Sequence, residues 1–236
     1  MSSLVFLDLE TTGLEEKDGI CELAFICENE ENLDFETSLC KPNKKISSSA
    51  MELHHITNEM IKEALPCLET KVYKNLETLN KEENILIAHN ISFDLKMLEK
   101  EGYKTKMQVI DTLRCVKSLI PECEEFRLQF LRYELNLYKQ EDEVAKDLGL
   151  SLQSHRALSD AFHVRLLFKT LLDYATLSQL IDISSKPVLL EKFPFGKYKG
   201  RYIEEIVTND NSYVQWMLNS IEDMDEDMLY SLKYYL

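Results

Sequence analysis

Three short apolar runs fill the first forty residues: 4–9 (LVFLDL), 20–27 (ICELAFIC) and 33–40, with acidic, turn-rich text between them. Runs of this length suit strands better than helices, so they predict a meander of hairpins. After residue 80 the pattern changes. Residues 85–88 and 109–111 are strand-length apolar runs, and each leads into helix-like text, at about 94–101 and 112–119. Strands first, then strands alternating with helices, predict an α/β fold built as a mixed β-sheet flanked by α-helices.

Breakers and spacing outline the remaining helices. Thr57 is placed to cap a helix over 56–64, ended before Pro66, and a second helix is expected over 68–80. Gly102 stops the helix that starts near Asp94, and Pro121 closes the one at 112–119. Apolar residues at 126, 130, 131, 135 and 137 are close to helical spacing. The longest helical pattern runs from His155 to about residue 174. A short helix (TLSQLIDI) and an SSKP breaker follow. The chain therefore divides into a main domain, 1–175, and a smaller C-terminal module, 176–236.

Composition narrows the classes. A chain of 236 residues, 44% hydrophobic, can bury one sizeable core plus an appendage. No run of eighteen apolar residues exists, and the start reads as a strand rather than a signal peptide, so a cytoplasmic location is expected. Cys21, Cys27, Cys40, Cys67, Cys115 and Cys123 form no CxxC pair and no zinc spacing with a histidine, which predicts plain buried thiols. The net charge is −15. That balance argues against coating long nucleic acid non-specifically, yet it is compatible with gripping a few nucleotides at an end.

Chemistry is signalled by carboxylates at strand ends and helix starts. Asp8 and Glu10 close the first strand, and residues i and i+2 of a strand share a face. Two carboxylates so close form either a site for a hard cation or a pair of solvated charges. Asp94 follows the strand at 85–88 and starts a helix, as a dipole partner or as a site group. Asp160 lies near the start of the longest helix. His155 sits five residues earlier at its entrance, either as a surface histidine or placed for general-base work.

The segments DLETTG (8–13), AHNISFD (88–94) and HRALSDA (155–161) closely resemble the three motifs of the DnaQ-like, or DEDD, exonucleases. The histidine five residues before the last aspartate is similar to that of the DEDDh branch. HHIT at 54–57 and Ile110-Asp111-Thr112 match connecting text of the family, and the C-terminal FPFGKYKGRYIEEIV resembles a tail found in one subgroup of it. The resemblance implies a ribonuclease H-like fold and a 3′–5′ exonuclease that releases nucleoside 5′-monophosphates from DNA 3′ ends, single-stranded or frayed, in repair or end trimming. RNA trimming, polymerase-associated proofreading and a catalytically dead end-binding module are the alternatives. It further implies two Mg²⁺ ions, replaceable by Mn²⁺. Asp8, Glu10 and Asp160 would hold one ion, Asp8 and Asp94 the second, and His155 would act as base.

Substrate contacts are expected around these groups. Thr11, Thr12 and Gly13 would offer backbone and hydroxyl donors, and Leu14 is either a wedge at the terminal base or a partly buried turn residue. Asn90 would reach the ribose. Phe93 and His54 match family positions but suit core packing and a structural hydrogen bond as well. In the tail, Lys197, Lys199 and Arg201 alternate with Gly196, Tyr198 and Gly200. That pattern suits DNA contact, or else a glycine-rich turn with solvated cations.

Overall fold

The computed structural model describes every residue except Met1, Glu16 and Glu222. Five strands form one sheet: β1 (Leu4–Thr11), β2 (Ile20–Glu28), β3 (Leu33–Leu39), β4 (Ile85–Ala88) and β5 (Gln108–Asp111), in the order β3-β2-β1-β4-β5. β1–β2 and β2–β3 pair antiparallel, whereas β1–β4 and β4–β5 pair parallel. The sheet is therefore mixed, as the run pattern predicts. β1 lies between the meander and the parallel strands, and the ends of strands at such a switch in order are where open α/β sheets place their sites.

Strand alternation decides what β1 presents to each side. Val5, Leu7 and Leu9 enter a core with Leu76 of α2 (Lys71–Leu79) and with Ile91, Met97 and Leu98 of α3 (Ile91–Lys100). Phe6 points the other way and meets Phe168 of α7 (Ala157–Leu171) edge-on, with ring centroids 5.4 Å apart. Asp8 and Glu10 share the face of Phe6, so the same alternation that packs the core aims both carboxylates toward α7. Ten buried residues, including Ala161, Phe162 and Phe168, fix α7 on the sheet.

Several helices differ from expectation. The text after Thr57 forms turns closed by i→i+3 bonds, such as Met60 N to Thr57 O at 3.1 Å. Asn58 is committed to both polar groups of Ile46, which holds this segment to a neighbouring loop. The helix lies upstream instead, as α1 (Ser48–His54), capped by Ser47 and ended by left-handed His55. A 3₁₀ turn (Cys67–Glu69) precedes α2. The pattern over 126–137 is split: α5 (Leu128–Glu134) stops because Asn136 has φ 59°, and α6 (Tyr138–Asp147) follows. α7 begins at Ala157, not His155, because His155 has φ 51° and Arg156 is extended. α4 (Thr112–Leu119) is as predicted. Five cysteines are buried, and Cys27 is half-buried.

The chain separates into Met1–Ile181 and Asp182–Leu236. α8 (Leu177–Ser184) spans the junction. The second unit has its own core of Phe193, Ile203, Ile206, Val214, Met217, Met228 and Leu232. These come from α9 (Ile203–Asn209), α10 (Asn211–Ser220), α11 (Glu226–Tyr235) and the segment before them. Among the described residues, no helix is long and apolar enough to cross a membrane.

Candidate active site

Asp8 and Glu10 from the end of β1 and Asp160 from the first turn of α7 bring carboxylate oxygens within 4.8 Å of one another. Asp94, on the first turn of α3, is 4% exposed. Burial holds the Asp8 carboxyl well above the usual range, and Asp160, Asp94, Glu10 and Glu22 add to it. Glu10 is pushed up to about 8, first by burial, then by Asp160 and Glu22, with Arg156 opposing. Burial also raises Asp94, with Asp111 adding and its own backbone amide opposing. Groups shifted this way resist carrying their charges together, and a cation among them removes the conflict.

Asp160 is steadied from behind. Gln129 Nε2 of α5 donates to its Oδ1, and His163 Nδ1 lies 3.4 Å from the same oxygen. Arg132 pairs with Glu141 of α6, and Glu141 Oε2 lies 3.4 Å from His163 Nε2. The second motif is fixed by Asp111, which accepts from the amides of Asn90 and Leu113, each at 2.9 Å. That bond holds Asn90 in a left-handed turn (φ 66°) at the start of α3. His89 adds bonds to Thr112 Oγ1 (2.9 Å) and Phe126 O (2.7 Å).

The loop after β1 is locked by Asp18. Its carboxylate accepts from Thr12 Oγ1 (2.6 Å) and Glu15 N (2.8 Å) and pairs with Lys44 at 2.8 Å. A Cβ on Gly13 would fall 2.7 Å from Asp18 Oδ2, so only glycine admits this close approach. Thr11 Oγ1 donates to Gly13 O. Both threonine hydroxyls expected to face a nucleotide are thus donated inward. Leu14 stands 85% exposed at the tip of this fixed loop.

His54 turns its ring inward, against the end of β1. It is 1% exposed, its Nδ1 accepts from Ile56 N at 3.0 Å, and Nε2 lies 3.2 Å from Thr11 O. The accepting Nδ1 leaves the hydrogen on Nε2 to bond that carbonyl, and burial lowers the ring's pKa. Phe93 packs against the core. In the second unit, Lys197 pairs with Asp210 at 3.1 Å and lies over the Tyr198 ring, and Arg201 pairs with Glu205. Two of the three cations in that turn therefore already have an acid.

Glu22 and Arg156 escaped the sequence reading. Glu22 is the cross-strand partner of Glu10 and binds Arg156, the residue after His155. A charged residue within the apolar run ICELAFIC was the available signal, since a buried charge requires a partner.

Comparison with known proteins agrees with this geometry. The family model described as exonuclease matches residues 5–168, and one described as exodeoxyribonuclease X-like C-terminal matches 193–222. Exodeoxyribonuclease 10 of Escherichia coli is 29% identical over 240 residues, spanning 99% of this chain and 98% of that protein. The 3′-5′ exonuclease DinG of Bacillus subtilis is 30% identical, over 76% of this chain and 19% of its own. Among solved structures, exonuclease X in complex with 5′ overhanging duplex DNA superposes with a TM-score of 0.55 at 23% identity, covering 78% of this chain and 99% of that one. E. coli exonuclease I in complex with a dA16 oligonucleotide gives 0.54 at 19%, covering 77% and 42%. These likenesses show a shared ribonuclease H-like fold.

Proposed function

We propose an activity from family membership: this chain belongs to the exonuclease family, and it hydrolyses DNA from the 3′ end to release nucleoside 5′-monophosphates. The observation that carries the chemistry is the convergence of Asp8, Glu10 and Asp160 within 4.8 Å. The choice of DNA is supported by likeness to an exodeoxyribonuclease along nearly the whole of both chains, tail included.

The donor set fits divalent metal. It is all carboxylate oxygen, partly buried and mutually repelling, which suits Mg²⁺, with Mn²⁺ as substitute. Asp8, Glu10 and Asp160 would hold one ion, and Asp94 with Asp8 a second. Bound there, the ions would offset phosphate charge and acidify water. The chain's own residues do the rest. His155, in the turn at the entrance to α7, takes the proton from the attacking water. Gln129 and His163 keep the Asp160 carboxylate oriented from behind. Leu14 meets the terminal base, Gly13 brings backbone close to the terminal nucleotide, and Asn90 lies at the ribose side. In the tail, Lys199 and the exposed rings of Tyr202 and Trp216 are the groups we assign to DNA, since Lys197 and Arg201 are engaged by acids.

The test is digestion of 5′-labelled DNA and RNA oligonucleotides with Mg²⁺ and with EDTA. Stepwise shortening of DNA, abolished by EDTA and slower on RNA, is expected. Faster trimming of RNA would overturn the choice of substrate, and no cleavage of either would overturn the activity.

A further inference from the structure

We propose that the ion pair between Arg156 and Glu22 is a positioning device that sets His155 against the carboxylate cluster. It would govern turnover and leave substrate affinity nearly untouched. The proposal rests on the reading of His155 as the base, and the experiment separates the two.

The geometry is specific. Glu22 sits in β2 with its side chain 2% exposed. A carboxylate buried in a strand is costly unless its oxygens are filled, and this one accepts four donors. Arg156 Nε reaches Oε2 at 2.9 Å and Nη2 reaches Oε1, a bidentate fork. Ala157 N donates to Oε2 at 3.1 Å, and Thr37 Oγ1 of β3 reaches Oε1 at 3.3 Å. Glu22 is also the register partner of Glu10 across β1–β2. One carboxylate thus ties the strand pair carrying Glu10 to the residue that follows His155.

His155 needs such a tie. It has φ 51° and Arg156 is extended (φ −129°, ψ 136°), so the α7 ladder begins only beyond them, with Asp160 N bonding Arg156 O. Asp160 is held by the ten buried residues of α7, whereas the turn bearing His155 is anchored on one side by the Arg156 fork and on the other by Gln153 N donating to Ser159 Oγ at 2.8 Å. Removing the fork would loosen the lead-in while the buried face of α7 keeps Asp160 in place. A misplacement near 1 Å at a reacting group costs about 10²-fold in rate.

The experiment combines Arg156→Gln, Arg156→Lys and Glu22→Gln with His155→Ala. It measures the single-turnover rate on 5′-labelled DNA in Mg²⁺, oligonucleotide Kd in Ca²⁺, and the unfolding midpoint. Arg156→Gln is expected to lose about 10²-fold in rate with Kd within about twofold. Arg156→Lys, which keeps the charge but not the fork, recovers only part of it. In the His155→Ala background, Arg156→Gln adds nothing further, because both changes act through one group. Glu22→Gln, which keeps the side-chain shape, shows the same split should Arg156→Gln fold poorly. Normal turnover in Arg156→Gln, a Kd loss matching the rate loss, or full additivity with His155→Ala overturns the proposal. Near-normal turnover in His155→Ala alone would instead sink the base assignment, and the proposal with it.

Discussion

Glu10 shows how much of this site is set at the scale of single residues. Its carboxyl titrates near 8 in the fold, against about 4.5 in an unfolded chain, because burial and then Asp160 and Glu22 disfavour its charge. The folded state then binds more protons than the unfolded one between those values. Stability gained from the raised group is full below about pH 4.5 and is lost as pH rises toward about 8. The metal-free protein should therefore show a falling unfolding midpoint from about pH 5 to about pH 8, and Mg²⁺ should restore it at the alkaline end. Glu10→Gln should make the slope shallower and weaken the Mg²⁺ effect, with Asp8 and Asp94, also raised by burial, contributing the remainder. A midpoint that rises with pH in EDTA would contradict the shift. His155→Ala should keep DNA affinity while losing about 10²–10⁴-fold in rate, the range for a general base, checked by the same single-turnover assay. At this scale the motifs name Asp8, Glu10 and Asp160, and these three carboxylates meet in space. The charge within ICELAFIC signals that Glu22 needs a partner, but its pairing with Arg156 and that of Gln129 with Asp160 were not legible, because they span 134 and 31 positions that no local pattern encodes. For His54 the family match leaves a substrate contact and a structural hydrogen bond open, and the fold shows a buried ring bonded to Ile56 N and Thr11 O.

At the scale of elements, α7 is the part on which the site depends. Periodicity made it legible as the longest helix, and alternation in β1 made it predictable that Asp8 and Glu10 share one face. Helix ends were less legible. Thr57 has the chemistry of a cap, yet Asn58 is held by Ile46, so turns win over helix there. The spacing over 126–137 hid a break at Asn136, whose left-handed backbone lets α6 fold back and place Glu141 behind His163. Because Phe168 is fully buried and packs edge-on against Phe6, Phe168→Ala should cost about 3–5 kcal/mol in urea unfolding. A cost below about 1 kcal/mol would show that α7 is held chiefly by other contacts. The same variant at a temperature where it is folded should retain its oligonucleotide Kd, since Phe168 lies eight residues beyond Asp160 along α7.

The whole molecule poses the question of charge: a net −15 on a protein that we assign to DNA. The cations nearest the proposed contacts are largely spent on the protein itself. Lys44 neutralises Asp18, Arg156 neutralises Glu22, Lys197 pairs with Asp210, and Arg201 with Glu205. Metal ions at the carboxylates would then supply much of the positive charge that meets the terminal phosphates. For single-stranded nucleic acid, the logarithm of affinity falls with that of salt by about 0.7 for each phosphate neutralised by protein cations. A grip on one or two phosphates predicts a slope of about −1, far shallower than a protein with a broad basic footprint shows. Lys199→Ala should remove about 0.7 of that slope if the tail touches DNA. The measurement is fluorescence anisotropy of a labelled oligonucleotide in Ca²⁺ across a KCl series. A slope steeper than about −4 would mean that a basic surface assembles around the strand, and the end-gripping reading would give way to one in which the protein tracks along its substrate.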